Sequence, residues 1–412
     1  MVKLDQIVSV YENLEKVLDS LPEQIPSPIK TKIRDAILND KELKEIVDNI
    51  KNRRAPRYLL IGNTGHGKSS LINAMVGYYA AHVSSVQIGT KETERYDILD
   101  EEGNVAFSVL DSRGINESFP DEKKEKAEDQ LTEEMSNFTP DAVLYIHKAK
   151  ERASMGKEIE FLKNVSIRYE KMNHQKLPIL TVLTQCDELD PASKKEPSLY
   201  NERKLQNIKT TKEEVEKIIA SYGLEVKCVI VTSSLMEYEQ SYEDLNRMTI
   251  SQKRTIKPET DGRYQIEELK EILIDSIEDV YAQMGSIAEF RVAKVLKSLA
   301  RKFTHIFTGI AGVVAATPIP VSDVFILCAI EAVLVMIIAA LSGREVSFKT
   351  AGELVVSFGG VGALGFGARV AAQQLSKFVN AFFPGAGSAV SASIAVAGME
   401  TTGNLAIKYY FS

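Results

Sequence analysis

The sequence predicts an α/β domain with a mainly parallel sheet and helices on both faces, flanked by N-terminal helices and by a C-terminal all-α hydrophobic domain. Three observations carry that expectation. Short apolar runs of strand length alternate with helix-like segments through the middle of the chain. A glycine-rich turn, Gly62-Asn63-Thr64-Gly65-His66-Gly67-Lys68-Ser69, sits between one such run and a helical stretch. The last hundred or so residues, finally, are almost stripped of charge.

In the N-terminal segment, residues 1–54, Leu4, Ile7, Val8, Tyr11, Leu14, Leu18 and Leu21 fall on one helical face. Pro26-Ser27-Pro28 breaks that helix, and Ile33, Ile37, Leu43, Ile46, Val47 and Ile50 then suggest further amphipathic helix. Such a stripe packs on a neighbouring domain or receives a partner helix.

Residues 55–282 hold the strand-like runs Tyr58 to Ile61, Val105 to Leu110, Ala142 to His147, Ile179 to Leu183 and Cys228 to Val231. Ligands of such sheets bind beyond the carboxyl ends of the strands, and those ends carry the chain's chemistry. The glycine turn follows the first run, and Ser70-Leu71-Ile72-Asn73-Ala74-Met75 continues it as a helix. Its pattern is the G-x-x-x-x-G-K-[ST] phosphate loop, in which backbone N–H groups from Gly62 to Ser70 and the helix N-terminus face the phosphates of a nucleoside triphosphate. Lys68 reaches the β- and γ-phosphates, and the Ser69 hydroxyl is a ligand for Mg²⁺.

After Val109-Leu110 come Asp111, Ser112, Arg113 and Gly114. Asp111 is placed to hold Mg²⁺ through water, and the Gly114 N–H to approach the γ-phosphate. Between the two lies Ile88-Gly89-Thr90-Lys91-Glu92-Thr93, where Thr90, in preference to Thr93, closes over Mg²⁺. Arg113 either stabilises transition-state charge or pairs on the surface. His66 either meets a ligand oxygen or points away. Asp121 to Lys126 reads as the solvated start of a helix. After Leu183 comes Thr184-Gln185-Cys186-Asp187, whose Asp187 carboxylate accepts both N1–H and N2–H of guanine, a donor pair adenine lacks. Thr232-Ser233-Ser234 offers backbone N–H groups to guanine O6.

This order of motifs resembles the Era-like branch of translation-factor-type P-loop GTPases, over roughly residues 55–282. The resemblance is closest to bacterial members that share Gly89-Thr90-Lys91-Glu92, Asp111-x-x-Gly114 followed by Ile115-Asn116-Glu117-Ser118, and Thr-Gln-x-Asp in place of Asn-Lys-x-Asp. It implies GTP binding and hydrolysis with Mg²⁺. Gln185 stands where the family commonly has a lysine along the base. Ile115 stands where Ras-like enzymes carry a water-orienting glutamine, so slow basal hydrolysis is expected, with activation by dimerisation, a partner or a membrane. Relatives that recruit potassium do so through an asparagine; the corresponding position here is Gly65, and Asn63 lies two places away.

The third section, residues 283–412, changes character. From Phe303 to Ser412 there are five basic residues (Arg344, Lys349, Arg369, Lys377, Lys408) and five acidic ones (Asp323, Glu331, Glu345, Glu353, Glu400). Val324 to Ser342 is apolar except for Glu331, near break-even for membrane insertion. Gly359, Ala363, Gly367 and Ala371 form a smooth ridge at helical spacing. The turn from Thr317 to Asp323 resembles the start of a C-terminal helical domain fused to some bacterial Era-like GTPases, and the layout resembles dynamin-related and immunity-related GTPases, in which helices before and after the nucleotide domain pack together.

Net charge −7 argues against nucleic acid as the main partner. Cys186, Cys228 and Cys328 show no metal-ligand spacing and suit a reducing compartment. With no secretory leader over Met1 to Gln6, the expected location is cytoplasmic, at the inner face of a membrane. The expected partners are GTP and GDP, a membrane surface and a nucleotide-dependent second copy of the chain.

Overall fold

The computed structural model describes residues 3–14, 27–80, 93–100, 102–112, 121–316, 323–361 and 386–412. The chain divides into two compact units, one formed by residues 1–52 together with 291–412 and the other by residues 53–290.

In the first unit, helices α1 (Leu4–Glu12), α2 (Ser27–Leu38) and α3 (Lys41–Lys51) lead the chain. Of the stripe read from sequence, Leu4, Ile7 and Val8 of α1 and Leu43, Ile46, Val47 and Ile50 of α3 are buried, Tyr11 is half-buried, and Val10, outside that stripe, is buried with them. Asp40 caps α3 by accepting the Leu43 N–H at 2.9 Å. Leu18 and Leu21 lie outside the described residues.

The nucleotide-type unit follows. Its strands and helices run β1 (Arg57–Ile61), α4 (Lys68–Val76), β2 (Thr93–Leu99), β3 (Val105–Ser112), α5 (Asp121–Phe138), β4 (Ala142–Lys148), α6 (Met155–Asn173), β5 (Ile179–Thr184), α7 (Glu202–Tyr222) and β6 (Cys228–Val231). After these come β7 (Met236–Glu237), α8 (Tyr242–Arg247), α9 (Ile250–Thr255), β8 (Thr260–Asp261), α10 (Ile266–Ser276) and α11 (Val280–Phe290). The main sheet has the order β2-β3-β1-β4-β5-β6. Every pairing in it is parallel except β2 with β3. β1, β4 and β5 are buried along nearly their whole length, as strands covered on both faces must be. The register sets Ile61 beside Ser112 and Tyr145, and Lys148 beside Thr184, so the turns after these strands open at one end.

Two features differ from the sequence reading. β2 was not foreseen; its Thr-Glu-Arg-Tyr-Asp start lacks the apolar run that marks the central strands. And α11, which the boundary at 282 would assign to the hydrophobic domain, packs into the sheet unit. Tyr58 stacks on Phe290 at 6.0 Å, its hydroxyl lies 3.0 Å from Ser286 Oγ, and Gly285 sits so close that a Cβ there would fall 2.0 Å from the Arg54 carbonyl oxygen. Only glycine fits that approach.

The first unit is completed by α12 (Ala293–Ala316), α13 (Asp323–Leu341), α14 (Phe348–Val361) and α15 (Ala386–Tyr410). The structure groups these helices with α1–α3 in one unit, the arrangement of helices before and after the nucleotide domain that the layout resemblance implies. α13 packs against α1, α12, α14 and α15, and every residue from Ala329 to Leu341, Glu331 included, is buried. A helix apolar on all sides is one enclosed by its neighbours. Among the described residues no helix is long and apolar enough to cross a membrane. α12 and α15 approach closely at Gly403, where a Cβ would meet Thr304 Cγ2 at 2.3 Å. Of the ridge read from sequence, Ala363, Gly367 and Ala371 lie outside the described residues.

Candidate functional site

The turn from β1 into α4 has the backbone its sequence demands. Gly65 and Gly67 take φ of +81° and +86°, which side chains disfavour. A Cβ on Gly62 would lie 2.3 Å from the Ile146 carbonyl oxygen, so the loop is pressed onto β4. Lys68 at the start of α4 donates to the Gly62 carbonyl at 2.6 Å and sits 3.4 Å from Asp111 Oδ1. The ammonium thus joins the glycine loop to the end of β3.

The base side is built from the ends of β5 and β6. Thr184 Oγ1 donates to the His66 carbonyl at 2.6 Å and Gln185 Nε2 to the Gly65 carbonyl at 3.1 Å, tying this strand end to the glycine loop. Gln185 adopts φ +59°, which turns the chain so that the next residues form a tight helical turn. Asp187 is buried, and its Oδ1 accepts the Ser233 hydroxyl at 2.8 Å. Ser233 Oγ in turn receives the Leu235 N–H at 3.3 Å, so its proton is directed at the carboxylate. Burial pushes the neighbouring Cys186 thiol up to about 12, leaving it a thiol at neutral pH.

A cavity of about 890 Å³ joins these parts. Of the residues chosen from sequence, Gly67, Ser69, Ser70, Asp111, Thr184, Gln185, Asp187 and Ser234 line it. Tyr79, Tyr96, Tyr238 and Tyr242 line it too, and no motif flagged them. Tyr79 stacks against Tyr242 at 5.6 Å and meets Tyr238 edge-on at 6.4 Å. A run of tyrosines after the glycine-loop helix and another after the Thr-Ser-Ser turn was the available signal.

One expectation, on the N–H groups of Thr232 and Ser233, changes at this level, and for His66 and Thr93 the structure takes an alternative already open in the sequence. Asn63 and His66 do not turn their side chains to the cavity. Asn63 Nδ2 donates to Glu158 Oε1 at 2.5 Å, while the His66 ring is buried with Nδ1 3.3 Å from the Ile146 carbonyl. Glu158 is itself fully buried, receiving the Tyr145 hydroxyl at 2.7 Å and facing His147 Nδ1 at 3.1 Å. These polar groups brace the underside of the glycine loop. Next, the N–H groups of Thr232 and Ser233 are bonded to the carbonyls of Leu183 and Tyr264, at 2.6 and 3.2 Å. Of that triplet Ser234 alone remains to meet a base oxygen; its Oγ is buried and has no hydrogen-bond partner among the described residues. Last, the Thr93 hydroxyl is taken up by Glu134 of α5. Thr90, Arg113, Gly114 and Ile115 lie outside the described residues, and Thr64 is exposed away from the cavity lining.

His66 also makes the loop sensitive to acid. Burial, and then the neighbouring His147, hold its imidazole below the ordinary 6.5. In the unfolded chain it takes a proton near that ordinary value, whereas in the fold it does so only at lower pH. The unfolded state therefore binds more protons below about 6.5, and this share of stability, full above that pH, is lost as pH falls. Melting temperatures between pH 7.5 and 5 should fall less steeply for His66→Gln than for the unaltered chain; parallel curves would contradict this assignment.

The donor set beside Lys68 suits a small hard cation. Ser69 and Asp111 present a hydroxyl and a carboxylate on the cavity wall at the phosphate loop, and oxygen ligands beside a phosphate are what Mg²⁺ selects.

The sequence profile of a family described as 50S ribosome-binding GTPase matches residues 57–185. Translation initiation factor IF-2 of Erythrobacter litoralis is 30% identical over 128 residues, covering 28% of this chain and 15% of that protein. The tRNA modification GTPase MnmE of Campylobacter fetus is 24% identical over 169 residues, covering 39% of this chain and 38% of that one. The chain therefore spans well under half the length of these curated relatives. Toc33 of Arabidopsis thaliana with GDP and Mg²⁺ aligns over 65% of this chain and 93% of its own, at 13% identity and a TM-score of 0.32. Matched profile, sheet order and glycine loop together define the class: residues 53–290 are a P-loop GTPase domain of α/β fold.

Proposed function

We propose that the whole chain is a GTP-binding protein and slow GTPase that works at a membrane surface as a regulatory or mechanochemical switch. The observation that carries this reading is one cavity lined by Gly67, Ser69, Asp111, Asp187 and Ser234, with Lys68 3.4 Å from Asp111. The loop and Lys68 hold the triphosphate tail. Asp187 receives the two guanine N–H groups, and Ser234 faces the base oxygen. Ser69, Thr90 and Asp111 would hold Mg²⁺, which when bound neutralises charge on the β- and γ-phosphates. Thr90 and Gly114 sense the γ-phosphate. Within the GTPases, the Gly-Thr-Lys-Glu and Thr-Gln-Cys-Asp motifs support the Era-like branch.

Hydrolysis is slow because Ile115 brings no hydrogen-bonding group to the attacking water, and a missing stabilising group of this kind is worth about 10³ to 10⁵ in turnover. A second copy of the chain, or a membrane surface, would restore it. Turnover per molecule should accordingly rise with protein concentration in GTP and Mg²⁺; fast, concentration-independent hydrolysis by dilute protein would defeat this reading. The enclosure of α13 by its own unit favours a second reading, a soluble GTP-gated assembly protein with negligible hydrolysis. Flotation with liposomes, in GDP and in a non-hydrolysable GTP analogue, separates the two: co-flotation supports the membrane reading, and a chain that stays below in both states supports the other.

A further inference from the structure

Lys204, near the start of α7, is a completely buried lysine whose ammonium, among the described residues, is bonded to backbone carbonyls. Its three hydrogens go to three of them, those of Asp187 at 2.6 Å, Leu189 at 3.0 Å and Pro191 at 3.3 Å. Three donors meet three acceptors, so the group is satisfied within the turn that carries Asp187. The Tyr200 ring lies 4.8 Å from the ammonium and closes the remaining side. Tyr200 in turn packs on Tyr264 at 5.2 Å, and the Tyr264 backbone exchanges both hydrogen bonds with Ser233, whose hydroxyl holds the Asp187 carboxylate.

Burying an ammonium is costly unless its hydrogen bonds are met, and a turn folded without it would leave carbonyls converging on one point. The lysine is therefore part of what gives residues 187–191 their path. This matters here because Gln185 is neutral and its amide is taken up by the Gly65 carbonyl.

We propose that Lys204 is a positioning residue for base recognition: by capping the carbonyls of Asp187, Leu189 and Pro191 it fixes the Asp187 carboxylate at the height and angle that receive both guanine N–H donors. The inference rests on the guanine-nucleotide reading above and assigns its selectivity to a residue outside the motif. Lys204 is not among the residues that line the cavity. Its effect passes through the backbone of Asp187.

Inosine diphosphate isolates that effect, since its base keeps N1–H and the C6 oxygen but lacks the 2-amino group. Dissociation constants for GDP, IDP and ADP would be measured on the full chain unaltered, with Lys204→Met, and with Lys204→Arg, beside the melting temperature of each. The unaltered chain should prefer GDP to IDP by about tenfold or more, the worth of one hydrogen bond to a charged acceptor. Lys204→Met should bring GDP and IDP to within about threefold of one another, chiefly by weakening GDP. Lys204→Arg should narrow the gap as well, because a planar fork cannot cap three converging carbonyls.

A lysine that merely stabilises the fold would lower the melting temperature and weaken both nucleotides alike. Retention of the original GDP-to-IDP ratio in either folded variant therefore overturns the proposal. If Lys204→Met does not fold, the milder Lys204→Arg decides. An unaltered chain that prefers ADP, or binds neither nucleotide, ends the guanine reading and this inference together. One that prefers GDP while the variants keep its ratio ends this inference alone.

Discussion

Lys68→Ala is expected to weaken GDP and GTP binding by about 10²- to 10³-fold, the usual cost of removing one member of a desolvated charged pair. The ammonium occupies the point where the glycine loop and the end of β3 meet, 2.6 Å from the Gly62 carbonyl and 3.4 Å from Asp111. Alanine removes the only cationic side chain that the glycine motif carries, apart from whatever charge His66 takes up, and with it the ammonium that lies 3.4 Å from Asp111. Backbone N–H groups of the loop would survive, so binding should fall rather than vanish. Loss of folding must be told apart from loss of the ligand. Saturating GDP should raise the melting temperature of the unaltered chain and leave that of the variant nearly unmoved, since only a ligand bound by the native state shifts the transition. Equal stabilisation of both would remove the phosphate loop from its assigned place.

How much of this was legible beforehand follows from which interactions are local. β1 announces itself because Tyr-Leu-Leu-Ile is buried on both faces, and the glycine loop because its residue types are set by backbone conformations it cannot otherwise reach. β2 stays silent: it pairs on one edge only, antiparallel to β3, and its burial is intermittent. α11 reads as the start of the hydrophobic section because its composition is apolar, yet Tyr58, Phe107 and Phe290 form one aromatic cluster that fixes it to the sheet. The direction of Asn63 and His66 depends on Glu158 and His147, residues that no spacing rule connects to the loop. In the same way the N–H of Ser233 is consumed by Tyr264, which reaches it through the β7–β8 excursion. Motif reading thus finds which residues gather at the strand ends. It does not find which of their polar atoms remain available once distant segments have bonded to them.

Asp187→Asn should change which base is accepted more than how tightly nucleotides bind as a class. In the native site a carboxylate is an acceptor at both oxygens, and in the proposed reading the donor pair of guanine, N1–H and N2–H, would satisfy both. The chain from the Leu235 N–H through Ser233 Oγ to Asp187 Oδ1 directs a hydroxyl proton at one of those oxygens. An asparagine would place its carbonyl oxygen under that proton and its NH₂ where the other oxygen had been. The NH₂ then confronts the 2-amino group of guanine, donor against donor, and one charge-assisted bond is lost as well. Together these should cost GTP about 10²-fold or more. Xanthine carries an oxygen at C2 in place of the amino group while keeping N1–H, so it presents an acceptor to the new NH₂ and a donor to the retained oxygen. Xanthosine triphosphate should therefore bind the variant more tightly than GTP does, reversing the order in the unaltered chain, while ATP stays weak in both. Competition of the three triphosphates against a labelled nucleotide reads the order directly, and a variant that still ranks GTP first would show that the base is held elsewhere in the cavity.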